Sequence, residues 1–249
     1  MKLCNLVLML VVVFMATMTA QATMVKSGST VLFFDNYESP APGGLLDNGA
    51  FPGTWDHDDS TLSTTTDAAS PGPHSGNQYH QMADSGSFRY TLARFASQNS
   101  GTIHVELMYY PKSSLENPEV GSEFAGSVRL LSSTDSEILG IQHAHDDEAK
   151  TGSGQQLGIF FVREEWNKWE FDYTVTTGVS TAQITITNSL GVQVANANTN
   201  NNVAGTVAGL QFYEDPRVTG GPVFYDDVPE PASLALVGLG GLMMVRRRR

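Results

Sequence analysis

The segment 169–173, Trp-Glu-Phe-Asp-Tyr, alternates aromatic residues with carboxylates. Side chains two positions apart lie on the same face of a β-strand, so Glu170 and Asp172 are predicted to lie side by side on a polar face. Paired carboxylates could hydrolyse a glycosidic bond, but a retaining mechanism needs a second carboxyl about 5 to 5.5 Å from the nucleophile. Positions 174 and 175 are threonine and valine. The segment is therefore predicted to be a strand with a solvated acidic face, and no catalytic residue is assigned.

Aromatic side chains beside polar ones form a second set, suited to binding a sugar. The flat ring of an aromatic residue can pack against the C–H face of a pyranose while polar neighbours bond to the hydroxyls. The candidates are Trp55, Asp56, Tyr110 and Trp166. Trp55 and Asp56 belong to the long polar segment 40–66, and long irregular segments are usually functional or disordered. In the alternative interpretation, Trp55 closes one end of the fold.

Two histidines and three acids follow one another in the segment 143–148, His-Ala-His-Asp-Asp-Glu. If the strand continues, both imidazoles share one face, and imidazole with carboxylate is a ligand set that Zn, Mn or Fe accepts. The same run of charged residues also suits an exposed loop, so both interpretations stay open.

The N-terminus has the three parts of a secretory signal peptide. A basic start precedes the apolar run 6–15, and residues 20–22, Ala-Gln-Ala, form a small-x-small cleavage site. Residues 1–22 are therefore predicted to be removed, which makes Thr23 the mature start. Cys4 is the only cysteine and precedes the apolar run, so neither a lipid anchor nor a disulfide is expected.

The C-terminus has a Pro-Glu-Pro triplet, the uncharged apolar run 232–245 and a basic end. As a helix this run is roughly 21 Å long, short of the about 30 Å of a bilayer core. It must therefore thin the bilayer, use the arginine stems or stay in the inner membrane only transiently, and a transient stay is the predicted one. The basic end is expected to remain cytoplasmic, which places the body of the chain outside. The residues of this predicted signal are Pro229, Glu230, Pro231, Arg246, Arg247, Arg248 and Arg249.

This tail resembles the PEP-CTERM sorting signal of Gram-negative bacteria that secrete exopolysaccharide. The resemblance implies that residues 229–249 are recognised and removed by a membrane protease, exosortase, after export. It further implies a membrane-anchored precursor and delivery to the cell surface or the extracellular matrix.

The predicted mature domain, residues 23–228, is strongly acidic. It holds nine Lys and Arg residues against 25 Asp and Glu residues, a net charge of −16. Nucleic-acid binding depends on Lys and Arg neutralising phosphates, so this class of partner is excluded. Anionic polysaccharides are disfavoured for the same reason, whereas neutral glycans, cations and basic partners stay open.

Short stretches rich in β-branched and aromatic residues, bounded by turn-forming residues, recur along the domain. This pattern predicts strands, and no amphipathic helix is indicated. One all-β sandwich of about eleven strands is expected, with loops at 112–124, 146–156 and 196–202. The predicted strands are 31–37, 77–82, 88–95, 102–110, 127–132, 138–143, 157–163, 168–174, 182–188, 209–213 and 223–227.

The two ends of the domain, 32–39 (LFFDNYES) and 223–228 (VFYDDV), resemble the first and last strands of concanavalin A-like jelly-roll domains. Segments 76–79 (GNQY), 168–169 (KW) and 208–212 (AGLQF) resemble inner strands of that class, which includes laminin-G-like and carbohydrate-binding modules. The resemblance implies a jelly-roll β-sandwich. It leaves function open, because jelly rolls host lectins, hydrolases, lyases and structural domains.

The jelly-roll resemblance also implies a structural Ca²⁺ ion near the terminal strands. The candidate ligands are Asp35, Glu38, Asp226 and Asp227. A hard cation with oxygen ligands would offset the repulsion between these acids in a domain without disulfides. The same aspartates could instead cap turns and strand ends.

These observations predict an exported, noncatalytic surface or matrix protein that binds a glycan or serves as structure. Its predicted partners are exosortase, the export machinery and a neutral exopolysaccharide. The alternative is a divergent secreted polysaccharide hydrolase or lyase, which a carboxylate pair in a groove would indicate. A purely architectural protein, without an exposed aromatic platform, is the third interpretation.

Overall fold

The computed structural model describes residues 23–35, 37, 53–58, 61–64, 74, 78–82, 89–111, 124–144, 146–176, 180–199, 206–214 and 223–226. These residues form sixteen β-strands, and none of them is helical. A search of the same residues finds no helix long and apolar enough to cross a membrane. The predicted signal peptide and the predicted sorting helix lie outside the described residues.

The strands follow one another along the chain with short connections in the second half. They are β1 (Thr23–Ser27), β2 (Thr30–Asp35), β3 (Thr54–Asp58), β4 (Thr61–Thr64), β5 (Gln78–Met82), β6 (Arg89–Gln98), β7 (Thr102–Tyr110), β8 (Phe124–Ser132), β9 (Glu137–Ala144), β10 (Glu148–Thr151), β11 (Gln156–Phe160), β12 (Asn167–Thr174), β13 (Thr181–Asn188), β14 (Gly191–Asn198), β15 (Val207–Glu214) and β16 (Val223–Asp226).

Two antiparallel sheets form the sandwich. The nine-stranded sheet has the order β14-β13-β12-β7-β16-β5-β4, and β1 adds to β7 and carries β2. The seven-stranded sheet has the order β11-β10-β9-β8-β15-β6-β3. The predicted all-β sandwich is confirmed by these pairings.

Strand β12 illustrates why the two sheets pack. Trp169, Phe171 and Tyr173 are at most 2 % exposed and face the seven-stranded sheet, while the residues between them point outward. Neighbouring strands also have rows of apolar side chains that point inward. Phe161, which follows β11, packs against Trp169 at a ring-centroid distance of 4.8 Å. Each large apolar side chain buried in this way stabilises the fold by roughly 1.5–3 kcal/mol before entropy is counted. The alternation predicted from the sequence of this segment is confirmed.

Strands β1 and β16 lie end to end along one edge of β7. Met24 of β1 pairs with Glu106, and Asp226 of β16 pairs with Met108. The opposite edge of β7 pairs with β12. Strand β7 therefore joins the first and the last strands of the described chain, and only the position opposite Leu107 separates them.

The prediction of eleven strands is too low, because five strands have weak sequence signals. Strands β3 and β4 fall in the segment 40–66, and β10 falls in 146–156, both predicted to be irregular. Strands β1 and β14 were not predicted either. Strand β3 pairs with β6 and β1 pairs with β7, both remote in sequence, whereas β10 and β14 pair with strands next to them in the chain. Local composition does not reveal either kind of pairing.

Candidate functional site

The outer face of the nine-stranded sheet carries a cluster of charged side chains at its centre. Because Trp169 and Phe171 point inward, Glu170 and Asp172 of β12 point outward, as predicted. In the register of β7 and β12, Glu106 lies directly opposite Glu170, and His104 lies opposite Asp172. We call the group the charged face; it consists of Lys26, His104, Glu106, Lys168, Glu170 and Asp172.

Two lysines offset the repulsion between the opposed glutamates of the charged face. Like charges directly across a strand pair are destabilising, and Glu106 is largely buried. The ammonium of Lys168 lies 2.7 Å from Glu170 Oε1 and 3.5 Å from Glu106 Oε2. Lys26 of β1 approaches Glu106 Oε1 at 3.7 Å from the other side. The side chains of both lysines are about 30 % exposed, so the charged face remains open to solvent.

His104 is oriented by the carboxylates around it. Its Nδ1 lies 2.9 Å from Asp172 Oδ1, and its Nε2 lies 3.7 Å from Glu106 Oε2. Glu106 foremost, and then Asp172, raise the pKa of His104 against the opposing effect of burial. The neighbouring imidazole of His104 lowers the pKa of Glu106 against burial, and the charges of Lys168 and Lys26 lower it further. His104 and Glu106 therefore titrate as an interacting pair.

An aromatic cluster lies beyond the charged face, farther along β7. Tyr110 and Trp166 meet at a centroid distance of 5.4 Å, and Tyr79 packs on Phe224 at 5.4 Å. The ring of His74 lies 5.7 Å from that of Trp166. Tyr79, Tyr110 and Phe224 are buried, whereas Trp166 is only half-buried. Trp166 and His74 are thus the partly exposed members of the cluster.

The turn that presents Trp166 is held by Asn167. The Nδ2 of Asn167 donates to the carbonyls of Val162 and Glu165 at 2.8 and 2.9 Å. Its Oδ1 accepts the backbone N–H of Val162 at 2.9 Å and the side-chain N–H of Asn188 at 2.8 Å. A fully buried amide with its donors and acceptors satisfied fixes the turn in place. The asparagine at this position therefore supports the site structurally.

Glu164, in the same turn, accepts a hydrogen bond from the Tyr110 hydroxyl at 2.8 Å. Burial and the neighbouring carboxylate of Glu164 raise the pKa of Tyr110 to about 12. Tyr110 therefore stays protonated at physiological pH and acts as a donor. Its ring is 9 % exposed, so Tyr110 supports Trp166 instead of forming a platform of its own.

The aromatic cluster and the charged face share the outer face of one sheet. Glu106, Met108 and Tyr110 point to the same side of β7, and two residues along a strand span about 7 Å. The distance from Glu106 to Tyr110 along the sheet is therefore about 13 Å. Met108 between them is buried. An extended chain of several sugar units would be needed to contact both groups.

Residues 227–249 match the family model of the PEP-CTERM protein-sorting motif. The chain ends in a PEP-CTERM sorting motif. The resemblance predicted from Pro229, Glu230, Pro231 and the run Arg246 to Arg249 is thereby confirmed at the level of the motif. All seven of these residues lie outside the described part of the chain. The first residue matched follows directly on Asp226, the last residue of β16.

No curated protein matches the chain. Among solved structures the PEP-CTERM chain is similar to lectin II from Ulex europaeus, with a TM-score of 0.41 and 10 % sequence identity over 68 % of this chain and 89 % of that one. It is also similar to the lectin UEA-II complexed with galactose, with a TM-score of 0.39 and 8 % identity over the same shares. The architecture itself rests on the strand pairings described above.

Trp55 lies in the core of this PEP-CTERM protein and is 6 % exposed. It belongs to β3 and packs on Phe33 at 5.0 Å, and its indole N–H donates to the carboxylate of Asp35. Of the two interpretations left open by the sequence, closure of the fold is therefore the one observed. Asp56 is exposed and forms an ion pair with Arg94 at 3.2 Å. Trp55 and Asp56 thus lie apart from the cluster that unites Tyr110 with Trp166.

The predicted calcium ligands within the described residues have protein partners. Asp35 Oδ1 accepts the backbone N–H of Tyr37 at 2.7 Å, and Oδ2 accepts the N–H of Trp55. The fully buried Asp226 accepts the backbone N–H of His74, which places the His74 ring against Trp166. Glu38 and Asp227 lie outside the described residues.

The His-Ala-His segment forms a buried hydrogen-bond network in the part described. His143 Nδ1 lies 2.9 Å from the hydroxyl of Tyr109, and Nε2 lies 3.0 Å from Asp147 Oδ1. Complete burial lowers the pKa of His143, chiefly through desolvation. Both ring nitrogens of His143 are engaged with protein groups, and His145 lies outside the described residues.

Glu106, His104 and Lys168 belong to the site, although no sequence motif marks them. A short alternating pattern predicts which residues of β7 and β12 point outward. It does not predict which outward residues of the two strands lie next to each other. Glu106 and Glu170 are 64 positions apart in the chain, and only the register of the sheet brings them together.

Proposed function

We propose that this protein is exported, sorted through its PEP-CTERM motif by exosortase to the cell surface or matrix, and binds a neutral glycan without cleaving it. The glycan would lie on the outer face of the nine-stranded sheet. Trp166 would pack on a sugar ring, while the carboxylates and ammonium groups of the charged face would bond to hydroxyls.

One observation supports this proposal most directly: a partly exposed Trp166 lies on the same sheet face as a solvent-open group of donors and acceptors. Glu170 and Asp172 supply acceptors, and Lys168 supplies donors. Sugar recognition combines an aromatic surface with a few placed polar groups, and this face provides both. The net charge of −16 favours neutral over anionic chains as partners.

A hydrolase is the second candidate, because Glu106 and Glu170 are directly opposed. Oxygen atoms of the two carboxylates lie within 4.8 Å of each other, close to the separation of about 5–5.5 Å found in retaining enzymes. Such an enzyme keeps one carboxyl protonated by raising its pKa. Here the pKa of Glu106 is lowered, and Lys168 forms an ion pair with Glu170. This arrangement favours binding over hydrolysis.

The binding proposal is tested with a neutral-glycan array, followed by titration calorimetry on each hit. We expect Trp166→Ala and Glu170→Gln each to weaken binding about tenfold, a loss of about 1.4 kcal/mol. Glu137→Gln is the matched control, since Glu137 forms a similar half-exposed ion pair with Arg129 on the other sheet. Absence of binding by the wild type, or equal binding by Trp166→Ala, would refute the proposal. Release of reducing sugar that Glu106→Gln abolishes would establish the hydrolase instead.

A structural calcium ion, predicted with Asp35, Glu38, Asp226 and Asp227 as ligands, remains part of the proposal at Asp226 and Asp227, because Asp35 points between the sheets to Trp55 while Asp226 shares the outer face with Met108. Its support is the concentration of acids near the terminal strands in a domain predicted to lack disulfides. A ligand that binds only the folded state stabilises it by about 2.7 kcal/mol at 100 times its Kd. The melting temperature should therefore fall in EDTA and recover with excess Ca²⁺, and Asp227→Asn should remove this response. A melting temperature indifferent to EDTA would eliminate the calcium ion.

A further inference from the structure

Three side chains of the charged face bring possible metal ligands close together. One ligand atom from each of His104, Glu106 and Glu170 lies within 4.8 Å of the other two. We propose that they form a site for a divalent transition-metal cation, of which Zn²⁺ is the representative. This site shares no residue with the predicted calcium ligands.

The orientation of the His104 ring supports the assignment. Asp172 Oδ1 lies 2.9 Å from Nδ1, where it accepts the ring N–H of the Nδ1 tautomer. That tautomer leaves the lone pair of Nε2 directed to the side on which Glu106 lies. Histidines that bind metals commonly donate their other ring N–H to a carboxylate, which fixes the ring and increases its basicity. Asp172 is thus a positioning residue of the site.

The donor set selects the class of cation. One imidazole nitrogen and two carboxylate oxygens suit Zn²⁺ and neighbouring divalent metals, whereas Ca²⁺ takes six to eight oxygen ligands. Two carboxylates also balance the charge of a divalent ion when the imidazole is neutral. All three ligands lie on adjacent strands in the interior of a sheet, and such strands position side chains more rigidly than loops do.

Lys168 is the internal competitor for this site. Its ammonium contacts both Glu170 and Glu106, so one positive charge already lies where the cation would bind. The side chain is 30 % exposed, and its flexible stem allows the ammonium to move into solvent when a metal binds. Lys26 contacts the other oxygen of Glu106 and does not need to move. Removal of the Lys168 charge should therefore strengthen metal binding.

The test is titration calorimetry of untagged, chelator-treated protein with ZnCl₂ alone. We expect one ion per chain, with His104→Gln and Glu106→Gln each lowering the affinity at least about tenfold and Asp172→Asn lowering it by about tenfold. Lys168→Met should raise the affinity about fivefold, because it removes the competing ammonium. Lys150→Met is the matched control, since Lys150 forms a comparable ion pair with Asp146 outside the site, and it should leave the affinity unchanged.

Three results would overturn the proposal: no binding by the wild type, equal binding by His104→Gln and the wild type, or no gain in Lys168→Met. Circular dichroism and the melting temperature verify that each variant is folded. Because no glycan is present, the outcome is independent of the proposed glycan binding, which can fail while the metal site stands.

Discussion

The indole N–H of Trp55 donates a hydrogen bond to the buried carboxylate of Asp35. Asp35 ends β2 in the nine-stranded sheet, and Trp55 belongs to β3 in the seven-stranded sheet, so this bond joins the two layers of the sandwich. The other oxygen of Asp35 accepts the backbone N–H of Tyr37, whose φ of 53° lies in the left-handed region. One carboxylate thus holds both the sheet contact and the turn that follows β2.

Removal of either partner of this bond should destabilise the domain. Trp55→Phe keeps an aromatic ring but deprives a buried carboxylate of a donor, and Asp35→Asn removes the charge that strengthens both bonds. We expect each variant to lose about 2 kcal/mol of the free energy of unfolding, measured by urea denaturation. Trp166→Phe, at a half-buried position, serves as the control and should change this free energy little. An unchanged urea midpoint in Trp55→Phe would show that the bond does not stabilise the fold.

A close approach between the sheets occurs at Gly126 of β8. A Cβ atom added there would lie 2.9 Å from the hydroxyl oxygen of Tyr225 and 3.1 Å from that of Tyr109. Both rings are fully buried, so they have little room to move. Gly126→Ala should cost about 1–3 kcal/mol, as overpacked core substitutions do.

The clash at Gly126 can be relieved by a second substitution. Tyr225→Phe removes the nearer hydroxyl, so Gly126→Ala should cost less in that background than in the wild type. The four variants form a double-mutant cycle, measured by urea denaturation. Additive effects would mean that the hydroxyl of Tyr225 is not what excludes a side chain at position 126.

His104 should make the stability of the domain depend on pH. Its pKa is raised in the folded state, so its stabilising contribution is complete below the ordinary value of about 6.5 and is lost as the pH rises through the folded value. The wild type should therefore exceed His104→Gln in stability at pH 5.5, by at most about 1 kcal/mol, and the difference should shrink by pH 9.

The histidine prediction is measured as the urea midpoint of both proteins at several pH values. The buried His143 has a lowered pKa and acts with the opposite sign, since folding disfavours its protonation. Both proteins contain His143, so its effect cancels in the comparison. A difference between the proteins that grows from pH 5.5 to pH 9 would contradict the sign derived for His104.

Some features of this architecture depend on neighbouring residues and others on residues far apart in the sequence. Only features of the first kind could be predicted from the sequence. The inward row of Trp169, Phe171 and Tyr173 follows from a local alternation, and the sequence predicts it correctly. The burial of Trp55 depends on the pairing of β3 with β6, about 40 residues away, which a polar segment conceals. Glu106 and Glu170 lie opposite each other because of the register between β7 and β12. That register depends on contacts throughout the fold. Local patterns therefore predict which side chains point outward but not which of them become neighbours.

The PEP-CTERM motif predicts that the tail is removed in cells, and this removal can be measured. Replacement of Pro229, Glu230 and Pro231 by alanine should block removal of the tail, because the Pro-Glu-Pro triplet of the matched motif is lost. The unprocessed, heavier chain should then accumulate in the membrane fraction, as detected by immunoblotting and intact-mass measurement. Cells without exosortase provide the matched comparison and should show the same accumulation. Equal processing of the wild type and the alanine variant would exclude the triplet as the recognition element.

The meeting of β1 and β16 on β7 has a topological consequence. Met24 and Asp226 pair with Glu106 and Met108, so the two strands that open and close the described chain are nearly continuous along one edge. Only the position opposite Leu107 lies between the two pairs. A fold whose first and last strands meet in this way is almost a closed ring. A short peptide linking them, with new ends cut at the Asn188 to Gly191 hairpin, should give a circular permutant with the same two sheets.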